Sequence, residues 1–215
     1  MAKKILILGA AGEIARMLTD RLLAESDAEL VLYGRNVSQR LALEENSRIK
    51  LVDGTFGESE KLEAALAGVD VVYLNSMSSP ADTASVVQAL EKAGVKRLLG
   101  ATIAGVEDEV PYELATWTKN SLPASYIKGE YDSAKIVRDS NLDYTLLRLT
   151  WLFNDESDRE YELVPSGVEF ADTEVSRQAV TQAILDILNG EESEYVRKSF
   201  GLGKPNTHYG KPSFY

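Results

Sequence analysis

Cysteine is absent from this 215-residue chain, which excludes disulfides, thiolate nucleophiles and cysteine-bound metals. Histidine occurs once, as His208, in a stretch rich in glycine and proline. No partner ligands cluster around it in the sequence, so it reads as a surface-loop residue, and no metal site is expected. No apolar run approaches the length of a membrane span, and the start Met1-Ala2-Lys3-Lys4-Ile5-Leu6 is too short and too soon interrupted for a signal peptide. Positive charge is outweighed: 23 lysines and arginines stand against 34 aspartates and glutamates, and a net charge of −11 argues against a nucleic-acid partner. A soluble, cytoplasmic protein without membrane or nucleic-acid partners is the expectation. The length suits one domain with a full core, residues 1–215.

What the chain does have is alternation. Ile5–Leu8, Leu30–Tyr33, Ile49–Val52, Val69–Leu74, Val95–Leu99 and Tyr144–Leu149 are short apolar runs that read as strands. They are nearly continuous, as in strands covered by helices on both faces. Helical patterns lie between them at Glu13–Glu25, Ser59–Leu66, Ala81–Lys92 and Ser125–Ser140, and a late helix is expected over Glu174–Leu188. Gly68 and Gly94 follow two of these as C-terminal stops. Serial βα units point to an α/β fold with a parallel sheet. The Gly-Lys-Pro triplets at Gly203 and Gly210 fall in what reads as a loop-like tail.

The first strand breaks into Gly9-Ala10-Ala11-Gly12-Glu13-Ile14-Ala15 and then into a helix. Gly9 permits a sharp turn off the strand. Gly12, lacking Cβ, lets backbone amides and the positive end of the helix dipole approach a pyrophosphate. Gly9, Ala11, Gly12, Glu13 and Ile14 are therefore candidate cofactor contacts, with small Ala15 packing the helix onto the strand. An ordinary strand–helix turn is the plainer alternative for the bare glycine pattern.

In dinucleotide folds a carboxylate at the end of the second strand bonds the adenosine ribose and repels a 2′-phosphate. Here the segment is Val31-Leu32-Tyr33-Gly34-Arg35-Asn36, with no acid and with Arg35 available to clamp a phosphate. NADP(H) is favoured over NAD(H). The third strand ends in Asp53-Gly54-Thr55-Phe56 and the fourth in Leu74-Asn75-Ser76-Met77. Thr55, Phe56, Asn75 and Ser76 are candidate cofactor contacts because ligands sit at the carboxyl ends of parallel strands. Asp53 competes with Thr55 for the adenine contact.

The Gly-x-x-Gly-x-x-Ala loop, Arg35 and the segment Ser140-Asn141-Leu142-Asp143-Tyr144-Thr145-Leu146-Leu147-Arg148 together resemble atypical short-chain dehydrogenase/reductases. The resemblance is to their NAD(P)H-binding group, relatives of biliverdin reductase B and of NmrA-like proteins, and covers about residues 3–190. It implies a Rossmann-type doubly wound sheet in the order 3-2-1-4-5-6, with a seventh strand from the C-terminal part. It also implies that residues 151–215 supply substrate-side loops, a late helix and the tail as a small elaboration. Among those residues, Trp151, Phe153, Asn154, Tyr161, Leu163 and Phe170 either wall an apolar pocket or form a small core under a loop.

Such reductases pair a tyrosine with a lysine four residues on. Counting back from the Ser140–Arg148 segment, the family tyrosine falls on Tyr126, and Glu130 fills the lysine position. A literal Tyr-x-x-x-Lys exists at Tyr131 and Lys135, but Tyr131 lies roughly 140° further around the helix. There it shares a stripe with Ile127 and Ala134 and reads as a core-facing aromatic, with Lys135 exposed. Tyr126 and Thr102 are the catalytic candidates, and Tyr131 with Lys135 the alternative pair. Glu130 would raise the tyrosine's pKa, the opposite of what a lysine does.

These residues imply an NADPH-dependent oxidoreductase acting on a quinone-like, flavin-like or carbonyl small molecule. A non-catalytic NADP(H)-sensing regulator is the alternative, and a sugar-nucleotide epimerase or dehydratase a weaker one. Nothing in the sequence speaks to the oligomeric state.

Overall fold

The computed structural model describes residues 2–215. In chain order its elements are β1 (Lys4–Leu8), α1 (Glu13–Glu25), β2 (Glu29–Gly34), α2 (Val37–Leu41), β3 (Ile49–Asp53), α3 (Ser59–Ala65), β4 (Val71–Leu74), α4 (Pro80–Ala93) and β5 (Arg97–Ile103). They continue with α5 (Tyr112–Ser121), α6 (Ala124–Asp139), β6 (Asp143–Leu149), β7 (Trp151–Phe153), β8 (Glu162–Pro165), β9 (Glu174–Ser176), α7 (Arg177–Asn189) and β10 (Lys198–Gly203). Eight strands form one sheet in the order β3-β2-β1-β4-β5-β6-β10-β8. All neighbours pair in parallel except β8, which runs antiparallel to β10 at the edge. A second, two-stranded parallel sheet pairs β7 with β9.

The continuous apolar runs follow from two-sided burial. Ile5, Ile7, Leu30 and Leu32 meet Ile14, Leu18, Ala183 and Ile184 of α1 and α7 in one layer. Their strand neighbours Leu6, Leu8, Val31 and Tyr33 share the other layer with Leu62, Val86, Leu90 and Val137 of α3, α4 and α6. Pleating sends successive side chains to opposite faces, so every position of a central strand must be apolar.

Several boundaries differ from the sequence expectation, each for a local reason. The Val95 amide bonds Leu90 O, closing α4 over left-handed Gly94, so β5 starts at Arg97 rather than Val95. It then runs on through Gly100-Ala101-Thr102-Ile103, where small residues carry no strand signal. At Gly100 a Cβ would stand 2.8 Å from Met77 Sδ. β4 starts at Val71 rather than Val69, whose amide bonds Leu66 O. The late helix starts at Arg177: Ser176 caps it by accepting from the Ala179 amide (2.9 Å), and Glu174–Ser176 is the strand β9. Gly203 is not in a loop-like tail; it ends β10, the strand next to β6.

The Ser140–Arg148 segment turns out to be scaffolding. Ser140 Oγ accepts from the Leu142 amide (3.2 Å) at the turn into β6. Arg148 is fully buried, with Nη1 2.9 Å from Glu109 and 3.4 Å from Glu107. It thereby ties the loop after β5 to β6, and its Nη2 donates to Val164 O (3.1 Å) on β8.

Candidate active site

A cleft crosses the carboxyl ends of the strands, and the glycine turn forms its floor. The Gly9 and Ala10 amides both donate to Tyr33 O (2.9 and 3.2 Å), which bends the chain back over β2 with Gly9 at φ +77°. Gly12 then caps α1, and the amides of that helix's first turn have no acceptor within the helix. A Cβ at Gly12 would lie 2.3 Å from Asn75 Nδ2. The Asn75 side chain is itself fixed, since Oδ1 accepts from the Tyr73 hydroxyl (3.1 Å). Ala15 is fully buried beneath the helix. This cradle, with main-chain donors and no room for a side chain, fits the pyrophosphate of a dinucleotide.

One cavity of the cleft, about 470 Å³, is lined by Gly9, Ala11, Arg35, Thr55, Phe56 and Ser76. Arg40 lines it as well and was missed by sequence reasoning. The short helix α2 folds back toward α1, and Arg16 Nη2 donates to Arg40 O (2.7 Å). The available signal was a second arginine in the segment that follows β2. Asp53 and Thr55 differ in what surrounds them. Asp53 accepts from the Ser38 amide (3.1 Å) and hydroxyl (2.5 Å), bonds that hold its carboxyl below the usual range. Thr55 O accepts from the Tyr33 hydroxyl (2.7 Å), and Phe56 stacks on that ring at 6.1 Å, so the pair faces the cavity on a rigid shelf.

A second cavity, about 270 Å³, contains Glu13, Ile14, Asn75, Thr102, Tyr126 and Glu130 in its lining. Tyr126 and Glu130, one helical turn apart on α6, share a face. Thr102 Oγ1 at the end of β5 donates to Glu130 Oε2 (2.9 Å). Glu130 is 2% exposed, and burial raises its carboxyl above the usual range. Burial, and then the facing Glu130, push the Tyr126 phenol up to about 12. The helix comes this close to the loop after β4 because of Gly129, where a Cβ would stand 2.2 Å from Ser78 O.

The alternative pair is elsewhere. Tyr131 is 45% exposed, so it is neither a cavity residue nor the core-facing aromatic its stripe suggests. The buried face of α6 is formed by Gly129, Glu130, Ser133, Ala134 and Val137, and Tyr131 stands at its solvent side. Lys135 pairs with Asp139 at the surface.

Tyr126 also borders a third cavity, about 300 Å³, whose walls include Ile103, Leu114, Trp151, Leu152 and Tyr215. Trp117, Trp151 and Tyr215 form an aromatic cluster with centroids 5.4–6.3 Å apart. Of the residues after β6, Trp151 is a wall, while Phe170 is fully buried and Tyr161 and Leu163 pack on the core. Arg177 borders both cavities, with Nε 2.7 Å from Glu13 and Nη1 donating to Asn154 Oδ1 (2.9 Å). Helix α5, absent from the sequence reading, supplies Leu114 and Thr118 to this wall.

His208 is 60% exposed, in keeping with a surface loop, and its imidazole and the carboxylates of Glu162 and Asp172 converge within 4.8 Å of one another, away from the cleft. These residues lie on β8, on the segment before β9 and after β10, which no local spacing reveals.

Comparison with known proteins agrees with the fold. A short-chain dehydrogenase/reductase (wide type) from Veillonella parvula, solved in complex with NADP, is 45% identical over the full length of both chains, with a TM-score of 0.97. A Rossmann-fold NAD(P)-binding family protein from Shigella flexneri is 26% identical over the full length of both, with a TM-score of 0.81. Among curated proteins, the (4-alkanoyl-5-oxo-2,5-dihydrofuran-3-yl)methyl phosphate reductase of Streptomyces griseus is 29% identical over 146 residues, or 67% of this chain. The chain spans 46% of the length of the curated relatives it matches. No helix among the described residues is long and apolar enough to cross a membrane. The NAD(P)H-binding family matches residues 9–191, from the first glycine of the turn to just past α7. The chain belongs to that family, as an atypical short-chain dehydrogenase/reductase with a Rossmann-type fold.

Proposed function

We propose that this protein is an NADPH-dependent oxidoreductase that reduces a small quinone-like, flavin-like or carbonyl acceptor. The observation that carries the reading is the placement of Tyr126, which borders both the cavity beside the glycine turn and the aromatic-walled one. A reduced nicotinamide bound along the cleft supplies a hydride. Ala11, Glu13 and Ile14 hold the pyrophosphate end through main-chain amides. Thr55 and Phe56 form the shelf for the adenine, and Ser76 and Asn75 border the passage toward Tyr126. Arg35 and Arg40 face the first cavity, and β2 ends without a carboxylate, which favours a 2′-phosphate. Tyr126 stays a neutral phenol throughout the physiological range and so acts as a hydrogen-bond donor toward an acceptor oxygen. Glu130 and Thr102 fix its surroundings. Trp151, Leu152 and Tyr215 exclude water from the acceptor.

A second reading, a non-catalytic NADP(H) sensor, is favoured by one observation: Glu130 stands where a lysine would lower the tyrosine's pKa. Two measurements separate and test these readings. Tryptophan fluorescence titration is expected to show NADPH binding at least tenfold tighter than NADH, with Arg35→Ala removing most of the difference; equal affinities in the unaltered protein would end the NADP assignment. NADPH oxidation with a quinone and flavin panel is expected to show acceptor-dependent turnover, and its complete absence would favour the sensor.

A further inference from the structure

We infer that Glu162, Asp172 and His208 form a binding site for a borderline divalent cation of the zinc class, which staples the segment following β10 to the edge of the sheet. The site stands apart from the cleft and does not depend on the reading above. Its centre is Asp172, 1% exposed, whose two carboxylate oxygens are buried without a hydrogen-bond partner. A carboxylate in that condition needs a counter-charge or a proton. Lys204, which follows β10, is engaged with Asp158 (2.8 Å), and Arg177 with Glu13 (2.7 Å). What faces Asp172 is a second carboxylate, Glu162, and the imidazole of His208, whose Nε2 lies 3.2 Å from Oδ1.

The frame around these groups is built to hold them together. Glu162 on β8 is paired in register with Gly203 on β10. Asp172 packs over that glycine, where a Cβ would meet its own Cβ at 2.4 Å and Oδ2 at 2.8 Å. Any side chain at position 203 would therefore displace the carboxylate. Thr207 bonds back to Thr173 through its carbonyl, which accepts from the Thr173 amide (3.1 Å) and hydroxyl (2.5 Å), and this sets His208 beside Asp172.

One nitrogen and two carboxylate ligands, with water completing the shell, suit zinc and its neighbours better than magnesium or calcium, which favour oxygen alone. Ligand atoms on one tetrahedral zinc sit roughly 3.3 Å apart. The present cluster, with atoms within 4.8 Å of one another, reaches that spacing by rotating the exposed Glu162 and His208 side chains around a fixed Asp172. A dication would replace carboxylate repulsion by attraction. It would also anchor the segment that continues to Ser213, whose amide bonds Glu174 (2.6 Å), and to Tyr215 in the wall beside Trp151.

The test uses the full-length, tag-free protein, stripped with a chelator and titrated calorimetrically with zinc chloride at neutral pH. One zinc ion per chain is expected, with affinity at least tenfold weaker in His208→Gln and in Asp172→Asn, and with no comparable heat from magnesium. His208 is exposed, so His208→Gln leaves folding intact, and circular dichroism verifies this for both variants. Absence of zinc binding, or binding of equal strength in both folded variants, would overturn the inference.

Discussion

At its Arg35 end the cleft is lined by a glycine turn, two exposed guanidinium groups and residues of the loops that follow β3 and β4. At its Tyr126 end it is lined by side chains from α1, β5, α5, α6, β7 and the chain beyond β10. The cradle at the first end is geometry that a short stretch of backbone dictates. The second end depends on groups brought together from distant segments, and one of them, Glu130, is a buried acid in the place of a base. On the proposed reading, holding a nucleotide and choosing a reaction are thus separately adjustable in this molecule. An unaltered phosphate seat says little about the chemistry beside it.

The sharpest way to break this contrast is Gly12→Val. Its Cβ would collide with Asn75, whose side chain Tyr73 holds, so nucleotide affinity is expected to fall more than a hundredfold while secondary structure persists. Fluorescence titration and circular dichroism measure both. Next in size is Arg148→Met, which leaves Glu109 buried without its cation. Urea denaturation is expected to show a loss of about 3–5 kcal/mol, typical of a broken buried pair. A smaller value would mean that the Gly105 and Glu107 amides, which both donate to Glu109 at 2.9 Å, suffice to hold it.

The reactive end itself is probed by a pair of tyrosine variants. Tyr126→Phe is expected to lower turnover on acceptors that must gain a proton by roughly tenfold to a hundredfold, the lower part of what general acids contribute. Tyr131→Phe is expected to stay within about twofold, as befits an exposed position. The reverse outcome would restore Tyr131 and Lys135 as the working pair. The smallest effect is spectroscopic. Burial and, after it, Glu130 raise the Tyr126 pKa, so Glu130→Gln is expected to lower that phenol part of the way from about 12 while burial keeps it above the ordinary tyrosine value. In ultraviolet titration the tyrosinate signal absent from Tyr126→Phe would then appear at lower pH.

The legibility of this chain follows the same division. The turn from Gly9 to Ala15 and the first six strands were readable because their determinants are local or periodic, whereas the order of those strands came only with the family resemblance. Tyr126 and Glu130 were readable only by counting back from Ser140–Arg148, and that count works because α6 and β6 are joined by a short fixed turn. Helix α5 was not readable: Leu114 alone is buried in it, so no apolar stripe marks it. Arg40 reaches the cleft only because α2 doubles back after left-handed Asn36. The Glu162, Asp172 and His208 cluster assembles across the antiparallel edge of the sheet, where sequence spacing carries no information. Tyr131 misled because a helical stripe gives angular position and not the depth at which the neighbouring elements stop.

Gly129 resting against the Ser78 carbonyl has a consequence beyond allowing close packing. Backbone touching backbone is a gauge of fixed length, and it sets the gap between the helix bearing Tyr126 and the loop at the mouth of the first cavity. A single methyl group at that point would widen the gap without altering any residue that lines the cavities. The width of the cleft beside Tyr126 is therefore held by an atom that is not there, at a position that lines none of its cavities.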